Sequence, residues 1–229
     1  MNVLEGKILR YLIGANEENV GAGRPDEITL VPYKAKKVRN GISIAYGNLF
    51  DEENTGKYGP YLKQSDTARQ YNEGQISPAG DGWYKNLRDQ CTRIRDDGFG
   101  YMELDNPDSY NIRDVTDAIE YAKGFNIGVI AKNAGLFDLS EGIQYIKHEN
   151  IFGCIVEKDC GRPNLYEYLR KEAKKPTLPI WFVTFGGGER YANEVAESIE
   201  ENHYINMGVT FSPKHEYTTS VDILRPFVQ

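Results

Sequence analysis

Apolar residues come in short bursts along this chain, and between the later bursts they return every three or four positions. The bursts are ILRYLIG (8–14), ITLVPY (28–33), ISIAYG (42–47), YMELD (101–105), IGVIAK (127–132), FGCIVE (152–157), IWFVTF (180–185) and INMGVTF (205–211), eight in all. Several are nearly continuous in apolar character, as parallel strands covered on both faces should be. The intervening periodic stretches predict helices. In 82–98 Leu87, Cys91 and Ile94 share a face and Gly98 stops the run. The stretch 111–124 opens at Asn111, a good N-cap, and closes at Gly124, which suits the left-handed position after a helix. Helices are also predicted over 139–150, with Ser140 as a cap, and over 163–175 and 188–202. Strand alternating with helix reads as parallel α/β, and eight strands without an evident switch point predict a single (β/α)8 TIM-like barrel. Residues 48–81 carry neither period and read as a long loop over one mouth. No boundary divides the chain, so residues 1–229 are expected to form one domain.

Composition narrows what such a barrel handles. The formal charge is −7, which argues against nucleic acid, since the phosphate backbone calls for clustered Lys and Arg. The basic runs at 33–39 and 170–175 read as solvated helix faces. No apolar run approaches the roughly 20 residues of a membrane span. Residues 1–19 mix charges among their apolar positions and lack a secretory core. The expectation is a cytoplasmic chain as given, or a secreted one if a leader has been trimmed. The three cysteines (Cys91, Cys154, Cys160) and three histidines (His148, His203, His215) have no metal-type spacing. Neither a metal nor a cofactor is expected, and a Ser-His-Asp triad is a poor fit. Protein partners are left open.

The chemistry collects where strands end. In GFGYMELDNPDSY (98–110), Glu103, Asp105, Asn106 and Asp108 fall within six residues. Carboxylates at the end of a buried strand are costly unless something there uses or pairs them. Asp105 and Asn106 close the fourth burst, Lys132 and Asn133 the fifth, and Glu157, Lys158 and Asp159 the sixth, while Tyr46 and Asn48 leave the third. Two carboxylates facing each other across a barrel mouth are what glycosidic cleavage requires, one to protonate the leaving oxygen and one to attack or to activate water. Asp105 and Glu157 are the candidate pair. Glu103 shares a strand face with Asp105 if the strand is regular, so one of the two is a supporting group. Tyr46, Asn48, Asn106, Asp108, Lys132, Asn133 and Asp159 are candidate substrate contacts, with Trp83 and Tyr110 as candidate sugar-stacking rings. A structural ion-pair network, for example Lys132 with Asp105, is the competing account of the same charges.

These residues resemble glycoside hydrolase family 114, the endo-α-1,4-polygalactosaminidase-like (β/α)8 barrels, whose central strand ends in a GxDxVExDNxDxY pattern. The segment at 98–110 matches its glycine, Glu103, Asp105-Asn106, Asp108 and Tyr110. YLIG (11–14), YGNLF (46–50) and the Lys132-Asn133 pair of VIAKNAG resemble the family's other strand ends, in order, over residues 11–161. Family members end the next strand with N-E-x-C, whereas this chain has VEKDCG (156–161). Aligned without a gap through Cys160, the family glutamate falls on Lys158, with Glu157 one place early. Either a bulge or one-residue shift restores Glu157, or Asp159 substitutes, or the second carboxylate is lost. Restoration is the reading taken, because strands commonly bulge near active sites. The acidic-tyrosine ending of the following strand is replaced by FVTFGGGER (182–190). The resemblance implies a barrel that cleaves an α-linked galactosamine-containing polysaccharide, with Asp105 as nucleophile or base and Glu157 as acid.

Two other functions fit the same residues. A Schiff-base lyase or aldolase would use Lys132 or Lys158, with the triple glycine at 186–188 as a phosphate cradle. A catalytically inactive carbohydrate-binding barrel would take the displaced glutamate at face value.

Overall fold

The computed structural model describes residues 3–4, 7–11, 24–25, 27–34, 37–38, 40–47, 51–52, 74–75, 81–105, 107, 110–134, 139–157 and 163–183. Their elements are β1 (Ile8–Tyr11), β2 (Glu27–Pro32), β3 (Ile42–Gly47), β4 (Asp51–Glu52), β5 (Gly74–Gln75), α1 (Asp81–Asp96), β6 (Tyr101–Leu104), α2 (Ile112–Gly124), β7 (Gly128–Lys132), α3 (Leu139–Lys147), β8 (Ile151–Glu157), α4 (Pro163–Ala173) and β9 (Ile180–Val183). Seven strands pair in the order β1-β2-β3-β6-β7-β8-β9, every pair parallel. Strand and helix alternate from β6 onward, as the periodicity predicts. The predicted strand at 205–211 and helix at 188–202 lie outside the described residues, as does the triple glycine.

The sheet is covered on both faces, which explains the near-continuous apolar bursts. Alternate residues feed two clusters. One side carries Val31, Ala45, Met102, Val129, Cys154 and Val156 against Leu87, Cys91 and Ile94 of α1 and Val115 and Ile119 of α2. The other side carries Leu9, Ile28, Leu30, Ile44, Ile130, Ile155 and Trp181, and no described helix contributes to it. First and last strands share this inner cluster. The Trp181 indole N–H also donates to the Lys7 carbonyl just before β1, at 2.9 Å. The sheet is therefore curled around the side on which the described residues place no helix, in the manner of an α/β barrel.

Helix ends follow local chemistry. The Asn111 side chain accepts from the Arg113 backbone N–H at 2.9 Å, the expected N-cap. Gly98 stands at φ 78 after α1. Its N–H reaches the Arg95 carbonyl and that of Phe99 the Ile94 carbonyl, a Schellman closure. For α2 the expectation at Gly124 is corrected. Gly124 is still helical, and the left-handed residue is Asn126, at φ 59. The closure needs the Ile127 N–H on the Ala122 carbonyl, and Ile127 and Ala122 are both core residues. Likewise α3 begins at Leu139, before the expected cap Ser140. The excursion over 48–81 contains the antiparallel pairing of β4 with β5, which brings its two ends together.

Candidate functional site

Parallel strands carry their C-terminal ends to one edge of the sheet, and that is where the polar inner residues lie. Register decides who meets whom. Tyr46 of β3 is opposite Glu103 of β6, Glu103 is opposite Ile130 of β7, and Lys132 of β7 is opposite Ile155 of β8. Tyr46 packs against the inner cluster that holds Ile130 and Ile155. Positions 46, 103, 130, 132 and 155 thus share the inner face, and Asp105 follows Glu103 by two. Asp105 sits one residue past the end of β6 and is 8% exposed, while Glu103 is fully buried.

The three strand ends converge on the Asp105 carboxylate. The Tyr46 hydroxyl donates to Oδ2 at 3.3 Å. The Lys132 ammonium stands 2.9 Å from Oδ1, close as a charge contact but with an angle too poor for a hydrogen bond. Both side chains of the ion pair are nearly closed to solvent, at 6% for Lys132 and 10% for Asp105. Taking two such charges out of water is expensive, so geometry and neighbours must hold them. This is the ion pair that a purely structural account of the sequence offered as its example. Asn133, next along, is 4% exposed and left-handed at φ 60, a conformation Asn tolerates better than most residues. Its N–H donates to the Ile155 carbonyl at 2.7 Å. That bond turns the chain out of β7 and ties the Lys132 strand end to β8.

The β8 ladder carries an irregularity of direct consequence. Val129 pairs with Ile151, but the next residue, Ile130, pairs with Gly153. Phe152 is the extra residue of a bulge. The bulge expected at the strand's end, after Glu157, lies outside the described residues; this one is at the strand's beginning. Past it, Cys154 and Val156 face the helices and Ile155 the interior. Without it the parity would be reversed. Glu157 ends β8 with its backbone opposite Val183, and its side chain lies outside what is described. So do Lys158 and Asp159, together with Asn48, Asn106 and Asp108.

The aromatic candidates separate. Trp83, expected as a sugar-stacking ring, lies on α1 with no exposed surface, packed in the helix-side cluster with Leu87 and Cys91. This is a correction: the helix period that brings 83, 87 and 91 together turns the ring into the core, where no sugar face reaches it. Tyr110 likewise packs against the helix-side cluster, in the turn before α2 where its N–H bonds the Pro107 carbonyl at 3.0 Å. Tyr46 alone among the described aromatic candidates touches Asp105. The sequence reading missed the β8 bulge, although Gly153 inside a strand was its signal. Among the described residues no three His, Cys, Asp or Glu side chains gather as a metal group, and no helix is long and apolar enough to cross a membrane.

No protein-family profile matches the chain, and no curated protein matches it. Solved structures do. Aspergillus fumigatus Ega3, crystallised in complex with galactosamine, superposes with a TM-score of 0.58 at 14% identity, over 80% of this chain and 79% of that one. At that identity the likeness is one of fold: a curled parallel α/β sheet with helices on its outside.

Proposed function

We propose that this chain is a glycoside hydrolase, a distant relative of family 114, acting on a galactosamine-containing polymer with Asp105 as nucleophile or base and Glu157 as acid. The observation that carries the reading is the enclosed Asp105 carboxylate at the C-terminal edge of the sheet, contacted by Tyr46 and Lys132 from the two neighbouring strands. Functional groups of (β/α)8 enzymes sit at that edge. Ladder parity supports the second acid: Ile155 lies in the inner cluster and position 157 follows it by two along β8. The bulge at Phe152 thereby favours Glu157 over Lys158. A fold like that of a galactosamine-bound protein points to the same ligand class. Closure by an eighth strand from 205–211, between β9 and β1, belongs to the same proposal.

The test is cleavage of galactosamine oligomers, free and N-acetylated, by wild type, Asp105→Asn and Glu157→Gln, with thermal melting to check folding. Turnover should fall by orders of magnitude in both variants, since these carboxylates act mainly in the transition state. Near-wild-type turnover in Asp105→Asn ends the proposal. Binding without cleavage, equal in wild type and variant, returns the inactive binding barrel. The lyase reading loses ground at Lys132, because imine formation needs a neutral amine and the contact with Asp105 uses the ammonium.

A further inference from the structure

The contacts around Asp105 assign two residues a task beyond binding sugar. We infer that Lys132 and Tyr46 are positioning residues, which hold the Asp105 carboxylate in one orientation by engaging one oxygen each. This rests on the proposed role of Asp105. An aspartate's last torsion is soft and roughly two-fold, so packing alone leaves the plane of its carboxylate loosely set. Here Oδ1 faces the Lys132 ammonium at 2.9 Å and Oδ2 accepts from the Tyr46 hydroxyl at 3.3 Å. The contacts come from opposite sides, because β3 and β7 flank β6 in the sheet. Rotation of the carboxylate would break both at once.

The supports are themselves fixed. Tyr46 packs its ring on the inner cluster, and its backbone carbonyl accepts from Tyr33 N–H at 2.8 Å. Lys132 is followed by the left-handed Asn133, whose N–H is bound to β8. A reacting carboxylate gains rate from such preorganisation, because the productive geometry is set before substrate arrives. Lysine suits the position as a compact point charge that can face a single carboxylate oxygen. Arginine would bring a planar fork that seeks both oxygens and competes with Tyr46.

Tyr46→Phe and Lys132→Arg test this, because each preserves most of the bulk and neither strands the Asp105 charge. With hydrolysis as the assay, Tyr46→Phe should lower kcat about tenfold with KM nearly unchanged, the value of one hydrogen bond to a charged group. Lys132→Arg keeps the charge but brings the competing fork, so kcat should fall in the same direction with KM nearly unchanged. A raised KM with intact kcat would overturn the inference and make these residues substrate contacts. The second readout needs no activity: the carboxyl carbon resonance of Asp105 in protein labelled with 13C-aspartate, assigned through Asp105→Asn. It should shift in both variants while melting temperatures stay within a few degrees. An unmoved resonance in both variants would refute positioning even if the enzyme is active. If wild type cleaves nothing but the resonance shifts as expected, the hydrolase reading fails and the two anchors stand.

Discussion

Where the inner strands begin, Tyr101, Phe152 and Trp181 fill the interior with rings; where they end, Tyr46, Asp105 and Lys132 fill it with polar groups. The ring end is packed by subtraction. A Cβ on Gly128 would lie 2.7 Å from the Tyr101 ring and 2.8 Å from Phe152, and one on Gly153 would lie 2.5 Å from Trp181. The glycines vacate room that the rings occupy, and Tyr101 and Phe152 meet edge to face at 5.6 Å. The polar end is built by pairing, with a single carboxylate contacted from both adjacent strands. Both ends are enclosed by the same seven strands. One holds its shape through volume, which tolerates no added atom. The other holds it through charge, which tolerates no missing partner.

Three changes break that comparison, in descending order of effect. Lys132→Met leaves the Asp105 charge enclosed without its cation and should cost about 3–5 kcal/mol in urea unfolding. Adding Asp105→Asn to it should recover most of the loss, since no charge then remains to be compensated. Additive losses in the double variant would deny that the two charges interact. At the other end Gly153→Ala should cost about 1–3 kcal/mol, because the Trp181 ring that must yield is tied to Lys7 and the Pro179 carbonyl stands 3.3 Å from the new atom. A neutral result would mean the ring end is looser than its spacing implies.

The smallest effect concerns pH. Burial raises the Tyr101 hydroxyl above its ordinary value of 10.0. Folding therefore favours the neutral phenol, and that contribution is complete below pH 10.0 and lost as pH rises through the folded value. Tyr101→Phe should flatten the alkaline limb of stability and leave neutral pH almost untouched. Melting curves from pH 8 to 11 would decide it, and an alkaline limb unchanged by the substitution would remove Tyr101 as its source.

Much of the fold was legible because it depends on nearest neighbours. The bursts ending at Gly47, Lys132 and Glu157 mark where strands stop, and Asn111 and Gly98 mark helix boundaries through caps that involve only adjacent residues. The α2 boundary was misread for the complementary reason. The choice between Gly124 and Asn126 was made by Ile127 seeking the core, a contact outside the helix itself. Trp83 went astray similarly: composition offers an aromatic ring, and only packing says which way it turns.

By itself the sequence determined the alternation of strand and helix and the clustering of acid, amide and lysine at strand ends, because both follow from period and local chemistry. Tertiary structure alone decided that Tyr46 and Lys132 meet the same carboxylate, and that β8 slips by one residue at Phe152. Pairing register is a property of two strands, and one inserted residue reverses every later side chain on one of them. Gly153 hints at a bulge within one strand, but only the pairing with β7 fixes where the register slips.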